Sequence, residues 1–206
     1  MARFGAIAAV GESIVRYLRG QFALFPGPPL VEQVTTRTFS EATAANTFNS
    51  SSGSLTLLLY RVDLDGHPRN TTVPRGPVPP GTTATKNHAM PVDLRYLVTA
   101  WAETADTQQL ILGLALTALD AHPIFGAGDL VDSMGGVDAI WGAGETFQFI
   151  PDEMGTEDLY QIWESLGHHF ELSVPYKARV VRLEHALPPS GMGVVLEKDL
   201  VVGQAE

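Results

Sequence analysis

The chain has 206 residues, of which 45% are hydrophobic and 17% charged, enough to bury the core of one domain or of one domain with an extension. Its formal charge is -10 and its thirteen basic residues are scattered along the sequence, which argues against a nucleic-acid-binding surface because such surfaces neutralise phosphates with Lys and Arg. It contains no cysteine, which excludes thiol nucleophiles, disulfides and cysteine-ligated zinc.

The first predicted element is an amphipathic helix. Apolar residues recur at helical spacing from Ile7 to Phe22, with charged residues on the other side. The apolar run after Arg3 resembles part of a secretory signal, but it stops at Gly11, so no signal peptide is predicted. No stretch of sequence approaches the ~20 apolar residues of a membrane span, so no membrane contact is expected.

Two strands separated by a loose segment are predicted next. The prolines at 25–29 end the helix, and the β-branched residues at 30–39 predict a short strand. The small, polar residues 40–53 predict a mobile loop that serves as a tether. Residues 54–65 are apolar at both alternating sets of positions, which predicts a strand in the middle of a sheet, covered on both faces.

A Pro-rich segment divides the chain. Residues 66–91 contain six prolines, too many for a helix or an internal strand. The length of the segment favours contact with a partner, and a solvated linker is the alternative. A strand at 92–103 follows, and then a helix at 108–122 that is apolar almost all round and is therefore expected to be buried on several sides.

A Gly-rich region and a short strand come next. Residues 126–144 are expected to be irregular. Residues 145–151 alternate Phe147 and Phe149 with polar side chains, which predicts a half-exposed strand.

The last helix and strand have clear boundary signals. Thr156 is predicted to cap a helix that Gly167 closes, with an inward face formed by Leu159, Ile162, Trp163 and Leu166. The strand at 171–184 contains Pro175, which requires an edge position or a bulge.

This order of elements predicts an α+β fold. We expect a single domain over residues 1–184, with a mixed or antiparallel sheet and helices packed on it. Residues 185–206 are a C-terminal extension, in which a Pro-Pro-Ser-Gly-Met-Gly hinge precedes VVLEKDLVV. Two alternatives stay open for it: an intersubunit arm that adds a strand to a neighbour, or a strand that folds back onto its own sheet.

The residue types of a catalytic or metal site do not converge in the sequence. No Gly-x-Ser-x-Gly elbow is present, and none of the six histidines has the spacing of a metal-binding motif. The best metal-ligand candidates are His168 and His169, but adjacent residues at a helix end point in different directions, and a histidine there gains from the helix dipole anyway.

Three other motifs receive structural interpretations. Asp63-Leu-Asp-Gly lacks the rest of a calcium loop and predicts a turn. Gly142-Ala-Gly precedes a strand, whereas a phosphate site precedes a helix. A group of carboxylates near the start of the last helix is expected to cap it and to be solvated: Asp152, Glu153, Glu157 and Asp158. The sequence therefore predicts no enzyme activity, no catalytic residue, no metal and no cofactor.

Six sequence blocks in a fixed order span almost the whole chain: IAAVGESIVRYL, LLLYRVDLDGHPRN, PVDLRYLVTAWAE, LILGLALTAL, DLYQIWESLG and ELSVPYKARVVRLE. They carry the signatures Tyr-Arg-Val…Arg-Asn, Leu-Arg-Tyr-Leu-Val-Thr and Leu-Ser-Val-x-Tyr-x-x-Arg-Val-Val at compatible spacing. Together they resemble the tail-terminator family of extracellular contractile injection systems, long catalogued only as a domain of unknown function. The resemblance implies a phage tail-terminator-like fold.

The resemblance also implies a function. A terminator of this family assembles as a homo-oligomeric ring, expected to be a hexamer, on the last layer of tube and sheath subunits and stops their polymerisation. The family has no known catalytic residues. Such a chain assembles in the cytoplasm into a phage-tail-like particle, and the sequence leaves open whether the particle is released. The alternative is a non-catalytic binding module that uses the same fold for another protein partner. The segments 40–53 and 66–91 depart from the family pattern, so no partner contact is carried over to them.

Overall fold

The structure is a computed structural model that describes residues 2–26, 31–38, 53–64, 90–167 and 169–183. Its helices are α1 (Ala6–Ala23), α2 (Ala105–Ala121) and α3 (Thr156–Ser165). Its strands are β1 (Val31–Arg37), β2 (Gly53–Leu64), β3 (Met90–Trp101), β4 (Ile124–Phe125), β5 (Ser133–Met134), β6 (Val137–Asp138), β7 (Phe147–Pro151) and β8 (Ser173–Leu183).

Six strands form one sheet in the order β1-β2-β3-β8-β7-β4. β1 pairs with β2 in parallel and the other pairs are antiparallel, so the predicted α+β fold with a mixed sheet is confirmed. The predicted irregular region between α2 and β7 contains a small hairpin of β5 and β6. Gly135 and Gly136 make its turn with φ of 59° and 79°, values that favour glycine.

Helices cover both faces of the sheet. α1 and α2 pack on one face, which we call the core face, against side chains such as Leu57, Val98 and Phe149. α3 packs on the opposite face, which we call the α3 face, where Trp163 and Leu166 join a second apolar cluster. Among the helices that the structure describes, none combines the length and the apolar character needed to cross a bilayer.

Two predictions about the helices are wrong. α2 is not buried on several sides: its buried residues form one stripe, and Leu110 is exposed on the other side. Thr156 does not cap α3, because Gly155 occupies the N-cap position and no side chain caps the helix there. Gly167 does close α3 as predicted, with a φ of 68° that a residue with a side chain rarely adopts.

Pro175, which was expected at an edge or a bulge, lies at a local edge of an interior strand. β8 is an interior strand between β3 and β7, but the pairing with β7 ends at Tyr176. The carbonyl of Pro175 accepts a hydrogen bond of 3.0 Å from the N–H of Asp152. The nitrogen and the carbonyl of a strand residue point to the same side, so the nitrogen of Pro175 also faces the β7 side. β7 has already ended there, and the strand therefore has a local edge at which Pro175 needs no N–H.

Several predictions fall outside the described residues. The Ser-rich loop, the Pro-rich segment up to residue 89 and the C-terminal extension 185–206 all lie there. Pro91, which we assigned to the Pro-rich segment, belongs to β3 and pairs with Arg182.

The packing of α1 on the sheet depends on a glycine. A Cβ atom on Gly11 would lie 3.0 Å from the Thr36 methyl group and 3.5 Å from the Tyr96 hydroxyl, whereas Gly20 of the same helix has open space around it. We expect Gly11→Leu to lower the free energy of unfolding by about 1–3 kcal/mol because it overpacks this contact. Gly20→Leu, the matched control, should raise it by up to about 1 kcal/mol through helix propensity. Urea titration measures both, and equal effects would contradict the close contact.

The packing of α3 on the sheet depends on a tryptophan. Trp163 is 3% exposed, and its Nε1–H donates a 3.1 Å hydrogen bond to Ser173 Oγ. We expect Trp163→Ala to cost on the order of 3–5 kcal/mol of unfolding free energy. Tyr160→Ala on the exposed side of α3 should cost only about 0.5 kcal/mol. An unchanged melting curve for Trp163→Ala would show that α3 does not pack here.

Candidate functional site

Two β-bulges determine which side chains reach the α3 face. In β2 the register shifts between Leu59 and Arg61, so Tyr60 is an extra residue. In β8 the register shifts between Ala178 and Val181. These two residues are three positions apart, but their partners in β3 are only two apart, so β8 contains one extra residue. A shift of one residue exchanges the two faces of a strand. Each bulge therefore keeps apolar side chains on the core face and charged ones on the α3 face.

The far half of the α3 face is charged. The pairing register places seven charged residues there, beyond the part that α3 covers, and we call this region the charged half: Arg61, Asp63, Asp93, Arg95, Lys177, Arg179 and Arg182. Five of the thirteen basic residues belong to it. The basic residues are scattered along the sequence as stated above, but the fold gathers these five on one surface.

Arg95 is the centre of a network of ion pairs in this half. Its Nε lies 2.6 Å from Asp63 Oδ2, and its Nη1 contacts Asp152 Oδ2. Arg61 Nε lies 2.6 Å from the other oxygen of Asp63, and Lys177 Nζ lies 3.1 Å from the other oxygen of Asp152. The side chain of Asp152 is only 3% exposed. The network thus connects β2, β3 and β8 to the segment that leads into α3.

The charges of the network favour the ionised form of Asp63. Partial burial opposes ionisation of Asp63, but hydrogen bonds from Arg95 and Arg61 and their positive charges outweigh it, so the pKa of Asp63 lies below its usual value. Asp63 therefore stabilises the fold above its unfolded pKa of about 3.8, and this contribution is lost as the pH falls through the lower folded pKa. A general acid needs the opposite shift, which makes Asp63 unsuited to that role.

A cleft of about 460 Å³ opens between this network and α3. Arg61, Arg95 and Tyr60 line it on the sheet side, and Glu153 and Asp158 line it on the α3 side. Burial and then the nearby charge of Asp152 raise the pKa of Tyr60, so its hydroxyl stays protonated. The cleft brings charged groups of both signs together and suits polar contact with a protein better than proton transfer.

A second polar cluster ties α1 to the end of α2. The rings of Tyr17 and His122 stack with centroids 4.7 Å apart, and His122 Nε2 lies 3.1 Å from Asp129 Oδ2 without the angles of a hydrogen bond. Partial burial opposes ionisation of Asp129, but a hydrogen bond from the Gly126 N–H and the nearby His122 and Arg16 lower its pKa. These contacts join two helices and a loop, so the cluster is structural.

The residues singled out in the sequence do not meet in one place. His169 is exposed, and His168 lies outside the described residues. Among the residues that the structure describes, no three His, Asp or Glu side chains are grouped as metal ligands. Asp63 lies in β2 and not in the predicted turn, and Gly144 makes a turn before β7 with a φ of 75°.

The prediction that the carboxylates before α3 are solvated is wrong for one of them. Glu153, Glu157 and Asp158 are exposed, but Asp152 is buried between Arg95 and Lys177. The sequence holds one signal of this network. Up to Leu59 the odd positions of β2 are apolar, together with the even-numbered Leu58. After Leu59 the odd positions hold charged residues and the even ones apolar residues, which indicates the bulge that turns the charged residues to the α3 face.

Comparisons with known proteins agree with this fold. Residues 9–197 match the Pvc16 N-terminal domain. A sheath/tube terminator of an extracellular contractile injection system, PVC, in the extended state is similar in structure, with a TM-score of 0.54, 16% identity, and coverage of 97% of this chain and 64% of that chain. The anti-feeding prophage cap, the AFP tube terminating cap, is similar with a TM-score of 0.54, 17% identity, and coverage of 94% and 60%.

These similarities confirm the predicted terminator-like fold, and at such identities they concern the fold alone. The chain spans less than two thirds of the length of either matched structure. No curated protein matches it.

The Asp152 contacts provide a test of the network. We expect Asp152→Asn to lower the unfolding free energy by about 1–3 kcal/mol, because Arg95 and Lys177 lose a charged acceptor. The loss stays moderate because both cations keep some solvent exposure, 28% and 25%. The control is Glu153→Gln, an exposed neighbour that should change stability by less than about 0.5 kcal/mol. Equal melting temperatures for the two variants would show that the network contributes nothing.

Proposed function

Because the chain belongs to the Pvc16 N-terminal domain family, we propose that it is a structural tail terminator that caps one end of a contractile injection particle. The observation that carries the proposal is the family match over nearly the whole chain, together with a fold like that of two proteins described as a sheath/tube terminator and a tube terminating cap. The predicted membership of the tail-terminator family is confirmed by the same match.

In this role the chain assembles in the cytoplasm as a ring of identical copies, six in the proposed form, on the last layer of tube and sheath. The ring stops further addition of tube and sheath subunits. The partners are therefore other copies of the chain and the subunits of tube and sheath. Residues 185–206 serve as an arm that reaches a neighbouring subunit, because their hinge and apolar strand pattern fit strand addition to a sheet edge.

The role is non-catalytic in our proposal. The network carboxylates of the described residues are ion-paired, and Asp63 has a lowered pKa, as expected of groups that hold a structure together. The cleft beside α3 has charged walls of both signs and is open to solvent, as expected of a surface that contacts another protein.

The proposal is tested by particle length. The tube, sheath and baseplate subunits of the same genome are co-produced with and without this chain, and the particles are imaged by electron microscopy. With the chain, we expect a narrow length distribution and extra density at the end opposite the baseplate. Without it, tubes and sheaths should vary widely in length. A chain truncated after Pro188 should fold with unchanged melting behaviour but leave the lengths variable, if the extension is an arm.

Two results would contradict the proposal. Particles of uniform length without the chain would show that another component ends the tail. A chain that never cosediments with particles would favour the alternative, a binding module for another protein partner. If the truncated chain itself unfolds, the extension belongs to its own sheet and only the arm is wrong.

A further inference from the structure

The charged half presents Arg179 and Arg182 to solvent, whereas its carboxylates Asp63 and Asp93 and the adjoining Asp152 are only partly exposed. Arg179 and Arg182 are exposed, and within the described part of the chain neither contacts a carboxylate. Asp63 and Asp152 are 27% and 3% exposed, and both already bind Arg95. A partner that approaches this surface therefore meets guanidinium groups first, although the whole chain carries a charge of -10.

The outer side of α3 carries the opposite charge. The helix contains no Lys or Arg, and Glu157 and Glu164 are exposed. Trp163 and Leu166 turn toward the sheet, so the helical repeat directs Glu157 and Glu164 away from it. We call these two residues the acidic ridge. They are seven positions apart on one side of the helix, or about 10.5 Å along its axis.

We propose that the charged half of one copy of this chain binds the acidic ridge of a second copy. The inference rests on the proposed function, in which copies of the chain form a ring, and it names the surfaces through which they touch. Arg179 and Arg182 of one copy pair with Glu157 and Glu164 of the next.

The spacing of the two surfaces is compatible. Arg179 and Arg182 are about 8–10 Å apart along β8, because a strand rises about 3.3 Å per residue and the bulge shortens it slightly. The acidic ridge has nearly the same separation. Two guanidinium–carboxylate pairs can therefore form together, and the forked donor groups of arginine favour this geometry.

A second copy is the occupant because both surfaces belong to the same chain. Each copy offers one charged half and one acidic ridge, which are different surfaces. A contact between different surfaces of identical chains is head-to-tail, and it closes into a ring when the rotation between copies permits. Every copy then uses both of its surfaces.

Nucleic acid fits the charged half less well. Duplex DNA carries a negative charge about every 1.7 Å, so it would extend past the cations. Next to them it would meet Glu153 and Asp158 at the cleft, and a chain of net charge -10. A ridge of two carboxylates matches the small size of the basic surface without that repulsion.

Salt affects the contact in two ways. Six copies would sum to a charge of roughly -60, and at about 0.01 M ionic strength this repulsion acts over about 30 Å. At about 0.15 M the screening length falls to about 8 Å, which removes the long-range repulsion but leaves pairs in contact. We expect self-association to be strongest near that ionic strength and weaker in 1 M salt.

A charge exchange tests the contact. Sedimentation velocity of the full chain at about 0.15 M ionic strength should show wild-type association that increases with concentration. Arg179→Glu with Arg182→Glu should abolish it, and Glu157→Lys with Glu164→Lys should abolish it as well. An equimolar mixture of these two variants should associate again, and so should the quadruple variant, because the opposite charges face each other once more.

The control is Glu32→Lys with Asp120→Lys, which changes net charge as much as the ridge variant but at exposed positions of β1 and α2. It should associate and should not restore the Arg179 and Arg182 variant in a mixture.

The inference would be overturned by a monomeric wild type at every salt concentration, by a ridge variant that associates normally, or by no recovery in the mixture. A lower melting temperature of the dilute Arg179 and Arg182 variant would also overturn it, because it would mean that its own chain covers the surface. Binding of duplex DNA that these arginines alone support would overturn it in favour of nucleic acid.

Particle length separates this inference from the proposed function. If the wild type caps particles but the charge exchange fails, the terminator role stands and the copies meet elsewhere. If the charge exchange succeeds but particles do not need the chain, the contact stands and the terminator role falls.

Discussion

The two β-bulges of the sheet are the constraint on which its two faces depend. Without the extra residue at Tyr60, Arg61 and Asp63 would turn to the core face, where α1 and α2 pack. That end of the core face is only partly covered, since Val62 and Leu64 remain 45% and 54% exposed. The penalty for burying a charge is larger at the bulge in β8, without which Arg182 would turn to the core face, where Val181 and Leu183 are buried. With the bulges in β2 and β8, Val62 and Val181 stay on the core face. The same two irregularities thus protect the core and create the charged half.

The ion pairs of that half also hold α3. A helix of ten residues has little stability of its own, so its position must come from tertiary contacts. Trp163 and Leu166 supply the apolar part on one side. Asp152 supplies the polar part, because it is anchored to Arg95, Lys177 and the carbonyl of Pro175 just before the helix starts. The outer surface of α3 is therefore presented in a fixed orientation.

The apolar periodicity of the sequence was sufficient to predict an element where that element depends on its own residues. α1, the long strands and the inward side of α3 follow directly from their apolar spacing. It failed where the outcome depends on distant partners. The parallel pairing of β1 with β2 is a matter of topology, and α2 carries the apolar Leu110 on its exposed side, outside its buried stripe. Asp152 looked like a solvated residue because Arg95 lies 57 positions away in the sequence.

Net charge and local charge give different information about assembly. The value of -10 describes the field far from the chain, which salt at physiological ionic strength screens beyond about 8 Å. At contact distance the arrangement of charges matters. Here one surface exposes arginines while its carboxylates are only partly exposed, and the charged residues of α3 are all acids. A strongly acidic chain with this arrangement can remain soluble as a monomer and still offer its copies complementary surfaces. The net charge then opposes random association, and the paired surfaces select one relative orientation of neighbours.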